Sequence, residues 1–352
     1  MTIAIKPAAA ARSTIIFLSA LTGLAVVYFL KIDLGFGFLE KYPPDLSTVG
    51  LMRLAGSVLT AALFVVAVAP RRESALSATA DVPVAGKLLV WSSIALLAAS
   101  GLLVAVAPQA VFGLVNEYGP AEFIAEGLLA ISVLILLTAI PFARRRDAGR
   151  IGPIAGSLLI GVMSAIVFLI LMEEISWGQK FLQWETPETF AANLQNETNI
   201  HNFHTHKFEF VFYSAAIFAF VILPFVWPAK TPGALAPLGF YVPPVWFVLA
   251  GAPLCTYMYE MWNIVPFQIY FFIGIFILAA LAMDPRRLGA AGRTVALVMM
   301  GLMLLVQSVF IANGGDMVRH HDLTEVRELL IAMMVFAYAI WLRRRLAPAA
   351  GN

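Results

Sequence analysis

The chain has 352 residues, 61% of them hydrophobic and 12% charged, with mean hydropathy +0.87 and a formal net charge of +2. A soluble domain is nearer half apolar and a quarter charged, so composition excludes an ordinary soluble protein and makes membrane lipids the expected surroundings. The net charge by itself says nothing about nucleic acid, and none is expected as a partner. The single cysteine, Cys255, excludes an intrachain disulfide and a cysteine-based metal site.

Lys6 and Arg12 precede an apolar stretch from Ile15 to Leu30, and Lys31 follows it without a small-x-small cleavage pattern. This reads as an uncleaved first span. Ten apolar runs stand out along the chain: 14–30, 49–69, 87–107, 120–142, 152–172, 208–227, 241–259, 264–283, 294–312 and 323–342. About 20 apolar residues cross the hydrocarbon core as a helix, and lipid offers the backbone no other partner. The predicted fold is all-α: a polytopic transmembrane helix bundle of about ten spans, one integral membrane domain over residues 1–352. Pro224, Pro243, Pro244 and Pro253 are expected near helix ends or at kinks. Ser157 and Gly161, four apart, predict close helix packing in the fifth span.

Loop charge sets the predicted orientation. Lys6 and Arg12; Arg71, Arg72 and Lys87; Arg144 to Arg146 and Arg150; Lys230; Arg286, Arg287 and Arg293; and Arg343 to Arg345 all fall in alternate connections. Cytoplasmic loops collect Lys and Arg, so both termini are placed in the cytoplasm of a plasma (bacterial inner) membrane. The other connections hold most of the acids and all five histidines. Only Glu73, Asp81, Asp147 and Asp284 lie with the bases.

The longest polar interruption is 173–207, predicted as an outer-face loop with an interfacial helix. Glu173 and Glu174 open it at the end of the fifth span. Adjacent helical residues point about 100° apart, so one of the two faces the bundle interior. Carboxylates at membrane depth point to metal ligation or acid/base work, against the plainer reading of a solvated helix end. Trp177 and Trp184 fit an aromatic belt. Thr186-Pro187-Glu188 reads as the start of a short interfacial helix to about Leu194. His201, His204 and His206 could supply imidazoles to one metal, with Glu174 as a further ligand; the plainer reading is histidines near headgroups.

Elsewhere, Glu122 and Glu126 share a helix face, and Asp322, Glu325 and Glu328 open the last span at spacing three. Acids at helix N-termini are also favoured by the dipole alone. His320 and His321 precede the second set. Glu260 sits with Tyr257 and Asn263 in the turn after the seventh span. Arg53, a turn inside the second span, needs a carboxylate or a phosphate, or else snorkels to the headgroups. No P-loop, dinucleotide fingerprint, G-x-S-x-G or Cys-x-x-Cys-His motif is present.

Glu117-Tyr118-Gly119-Pro120-Ala121-Glu122, then Glu173-Glu174-Ile175-Ser176-Trp177-Gly178-Gln179, then Thr186-Pro187-Glu188, then Gln195-Asn196-Glu197-Thr198-Asn199-Ile200-His201-Asn202 resemble a group of uncharacterised bacterial polytopic membrane proteins. Its pattern resembles E-D-G-x-x-E, E-E-I-S-W-G-Q, T-P-E and N-x-H-N. The likeness covers about residues 116–202 and departs at Tyr118 and Lys180, where the pattern has an acid and an arginine. It implies a shared site and supplies no reaction.

The resulting expectation is a membrane enzyme with an outer-face site, assisted by a divalent metal (zinc, iron or manganese), acting on a lipid or lipid-linked substrate. Glu173 and Glu174 are the candidate catalytic groups. Arg53, Trp177, Gln179, Glu122 and Glu260 are candidate substrate contacts. His201, His204, His206 and Glu174 are candidate metal ligands. The alternatives are a transporter or channel, or an accessory subunit that docks a partner protein.

Overall fold

The computed structural model describes residues 7–33, 39–69, 82–116, 118–147, 155–190, 192–193, 196–227 and 233–347. Lys6, Arg71, Arg72, Glu73, Asp81, Glu117, Gly149, Arg150, Leu194, Gln195 and Lys230 lie outside the described residues. Most of the described residues are helical, with no strand among them. The principal helices are α1 Pro7–Asp33, α2 Thr48–Val68, α3 Val84–Val106, α4 Pro120–Asp147 and α5 Gly156–Glu174. They continue with α6 Thr205–Val226, α7 Trp246–Cys255, α8 Val265–Met283, α9 Ala290–Asn313 and α10 Asp322–Leu346.

Seven of these, α2 to α6 with α8 and α9, are long and apolar enough to cross a membrane. Large apolar side chains such as Leu59, Val66, Leu102, Leu134, Leu158 and Leu305 are more than half or nearly half exposed on the outside or, like Leu137, close to it. A surface this apolar suits lipid and not water. The other three helices depart from a simple span in different ways. The described apolar part of α1 is Thr14–Val26. Helix α10 carries Glu325, Arg327 and Glu328 in its first turns and Arg343 to Arg345 in its last. Helix α7 is too short to cross alone, about 15 Å at 1.5 Å per residue.

The helix ends sort into two groups. At one end Lys41 contacts Glu209 and Glu260, and Lys180 contacts Glu122 and Glu126. At the other, Arg146 and Arg345 stack on Phe240 at 3.5 and 4.4 Å, and Arg343 lies on Phe142 at 4.0 Å. Phe240 is thus at the arginine end and Glu260 at the acidic end. The segment between them traverses the bundle although only its middle is α7 and the short turns around it.

Helix α10 packs along α4, and α4 along α5. On the other side α1 lies on α2, α2 on α8, α8 on α9 and α9 on α3. Helix α7 is enclosed, with Phe247, Val248, Ala250, Ala252 and Leu254 all fully buried. Helix α5 packs along α4 but makes no extensive contact with α6. The predicted close packing through Gly161 is absent, because a Cβ there would meet open space. Tight approaches come instead at Gly56, where a Cβ would lie 2.3 Å from Val26 of α1, and at Gly101, where it would lie 2.6 Å from Val306 of α9.

Irregular backbone inside the bundle is held by buried arginines. A carbonyl without a partner is costly where water is excluded. Arg327, 1% exposed, donates to the carbonyls of Thr256 and Tyr257 at 2.8 and 2.9 Å, where Tyr257 has φ 59°. Arg287 donates to the Phe225 carbonyl at 2.8 Å, past a π-helical turn at Phe218–Ile222 that precedes Pro224. Pro253 opens the 3-10 turn that ends α7. Both prolines therefore mark kinks or ends, as their missing N–H requires.

Candidate functional site

A chamber of about 940 Å³ opens at the acidic end between α5 and α6. Its floor is formed by Glu174 at the end of α5, Glu325 and Glu328 in the first turns of α10, and Glu122 at the start of α4. Ile170 and Phe212 lie beside them. Higher up are Lys41, Glu173, Lys180, His201, Glu209, Glu260 and His321.

Glu173 and Glu174 part as adjacent helical residues must. Glu173 turns to the loop: it accepts from the Trp177 indole at 2.8 Å and from the backbone N–H of Ile200 and His201 at 2.7 and 3.0 Å. Glu174 turns to the chamber floor and has no hydrogen bond or ion pair among the described residues. Glu325 is in the same condition. Glu328 accepts from the buried Tyr213 hydroxyl at 2.5 Å. These three acids lie within electrostatic reach of one another. Neighbouring carboxylates in such a place share protons or hold a cation.

The bases around the chamber are committed. Lys180 sits 2.7 Å from both Glu122 and Glu126 and 4.9 Å from the Phe123 ring. The i,i+4 spacing of the two acids is what lets one ammonium reach both. Burial pulls the Lys180 pKa down, but the two carboxylates outweigh it and the net direction is up. Lys41 is raised in the same way, burial being outweighed by Glu209 and Glu260. Arg319 is held by Asp322 at 2.8 Å. Burial lowers the His201 pKa despite Glu173, and burial with Arg319 lowers that of His321.

The loop over the chamber is a knot of polar side chains. Ser176, Trp177 and Gly178 have φ of 47°, 57° and 100°, and this left-handed reversal turns the chain back at the end of α5. Glu197 accepts from Ser176 at 2.8 Å, Asn199 at 2.6 Å and Asn202 at 3.3 Å. Gln179 donates to Thr186 at 2.8 Å and accepts from the Thr198 N–H at 2.6 Å. Thr186 also donates to the Asn196 carbonyl. Among the described residues the expected interfacial helix shows as a 3-10 turn at Glu188–Phe190.

The candidates therefore separate. Glu174, Glu173, Glu122, Glu260, His201 and His206 line the chamber. Gln179 and Trp177 serve the knot, and neither they nor His204 line it. Arg53 is away from it: its guanidinium binds Asn263 at 2.9 Å, Tyr42 at 3.0 Å and Asp45 at 3.4 Å, tying the segment before α2 to the turn before α8. The expected metal set does not converge. His201 Nδ1 faces Glu173 at 3.4 Å, His206 Nδ1 faces Glu209 at 3.7 Å, and His204 is exposed outside the chamber. Among the described residues no group of three His, Cys, Asp or Glu is placed to hold a metal ion.

Sequence reading missed Lys41, Glu209 and Tyr213. The first had a usable signal: a base on the side where bases are scarce has a reason to be there. Comparison with protein-family models, with curated proteins and with solved structures finds no match for this chain.

Proposed function

We propose that this is a ten-span protein of the bacterial inner membrane, with both termini cytoplasmic, and that the chamber is the outer-face active site of an enzyme acting on a lipid or lipid-linked substrate. The observation that carries this reading is the pair Glu174 and Glu325, carboxylates without a hydrogen bond or ion pair among the described residues, at the floor of a large chamber at one end of an apolar bundle. A structural acid in such a place acquires a donor, as Glu173 and Glu197 do; an acid kept without one is available for proton transfer. Glu174 would take or give the proton at the reacting group. Glu328, oriented by Tyr213, would share the charge that develops. The arginine clusters at the opposite end support the orientation through the excess of bases on the cytoplasmic side. Among the described residues no set of His, Cys, Asp or Glu is placed for the expected metal.

The test is Glu174→Gln and Glu328→Gln in a deletion strain. Glutamine keeps the shape and removes the basicity, so a proton-transfer role falls by roughly 10²–10⁴-fold. Both variants should insert and melt like the parent while failing to complement. Full complementation by both overturns the enzyme. Reporter fusions near Ala290 and Gly315 test sidedness; an inside signal at Gly315 reverses it.

One observation favours a transporter as the second reading. Helix α7 is interrupted, and the irregular segment after it is buried and runs up to Glu260 on the chamber wall. Transporters use broken helices beside their binding sites. Substrate flux in proteoliposomes, abolished by Glu174→Gln, would select that reading.

A further inference from the structure

The chamber has a side opening as well as a floor. Ile166 and Leu169 of α5 and Phe208 of α6 line it. The same three are 52%, 51% and 45% exposed. A residue that lines a cavity and is also half open to the outside stands at its rim. The two helices that carry these residues do not pack extensively on each other. The rim therefore faces sideways, toward where acyl chains lie, and is apolar as a lipid passage must be.

From this rim inward the wall changes character. Ile170 and Phe212 come next, and behind them lie Glu174, Glu325 and Glu328. Glu174 and Glu325 line the chamber, each partly exposed, and have no hydrogen bond or ion pair among the described residues. Every permanent cation on the wall is already paired: Lys41 with Glu209 and Glu260, Lys180 with Glu122 and Glu126, Arg319 with Asp322. An anionic head would find no free base and would face three carboxylates. A cationic head would find three acceptors. A small metal ion demands tight convergence of ligands, and the described residues offer no such set. An ammonium carries three donors and tolerates looser spacing.

We propose that the chamber binds an amphiphile with a protonated amine head, which passes from the lipid through the gap between α5 and α6. The hydrocarbon tail stays at the Ile166, Leu169 and Phe208 rim while the ammonium reaches the floor acids. This names a substrate class for the enzyme proposed above and rests on that reading of the chamber.

The experiment uses the full chain in phosphatidylcholine nanodiscs and three probes with a diazirine in the chain: octadecylamine, octadecanol and octadecyl phosphate. The amine should label peptides holding Leu169 and Phe208 about tenfold more than either other probe, the discrimination expected of hydrogen bonds to charged groups. Glu328→Gln combined with Glu174→Gln should bring amine labelling down to the octadecanol level. Leu169→Trp, on the exposed rim and neutral to folding, should block labelling within the chamber. Equal labelling by the three heads, or amine labelling spread over all the outward helix faces, overturns the proposal. So does complete displacement of the amine by millimolar Mn²⁺ or Ca²⁺, which would make the floor an inorganic cation site. Amine preference with full complementation by the Gln variants keeps this ligand and discards the enzyme. Lost complementation without amine preference keeps the enzyme and discards the ligand.

Discussion

Two regions of the acidic end use the same side chains to opposite effect. In the knot over the chamber, Glu173 and Glu197 each receive three donors at hydrogen-bond distance. On the floor, Glu174 and Glu325 receive none among the described residues. Glu173 and Glu174 are neighbours in sequence, so residue type and depth do not separate them; direction does. A satisfied buried carboxylate shapes the chain. An unsatisfied one costs stability, and its persistence asks for a use outside folding.

The largest expected effect lies between the two regions. Lys180→Met leaves Glu122 and Glu126 facing each other without a cation and should destabilise the protein by about 3–5 kcal/mol. Thermal unfolding in detergent checks this, and Lys180→Arg should recover most of the loss. An unchanged melting point would mean that the two acids are already neutral or solvated. Next, Glu197→Ala takes the acceptor from Ser176, Asn199 and Asn202 and should cost roughly 3 kcal/mol. Limited proteolysis near residues 183–200 should then quicken. A silent Glu197→Ala would erase the contrast between knot and floor.

A smaller effect is expected from pH. The pKa of His201 is lowered in the folded chain, chiefly by burial and against the pull of Glu173 and Glu209. A depressed imidazole contributes stability that is present above its unfolded value near 6.5 and is lost as pH falls through the folded value. The melting point should therefore drop more between pH 7.5 and pH 5 in the parent than in His201→Gln, measured on the two side by side. Parallel curves would show that His201 does not titrate in that window. The smallest effect belongs to the floor. Glu174→Gln and Glu325→Gln should change stability by less than about 1 kcal/mol, toward greater stability for Glu174 at a helix C-terminus. A large loss in either would show hidden partners and return the floor to the same class as the knot.

Much of this was legible in the residues. The ten apolar runs each overlap a helix, because twenty apolar residues have few other options in lipid. The i,i+4 relation of Glu122 and Glu126 was visible, as was the divergence of Glu173 from Glu174, since both follow from helix geometry alone. The length of α7 was not: its run of apolar residues continues through 256–259, and hydropathy does not register that Arg327, far along the chain, takes the Thr256 and Tyr257 carbonyls and lets the backbone leave the helix.

Helical structure, suitability for a membrane and the gathering of acids and histidines between alternate apolar runs all follow from the residues alone. Those properties are local sums of hydropathy and charge. Only the tertiary structure decided which acid has a partner. Arg53 was a candidate phosphate ligand until Asn263, 210 positions away, closed on it. Of the three candidate histidines, His201 lies against Glu173 and His206 against Glu209, carboxylates that spacing in the chain did not assign to them. Pairing depends on which side chains meet across elements distant in sequence, and the floor of the chamber, drawn from α4, α5 and α10, exists only where those helices come together.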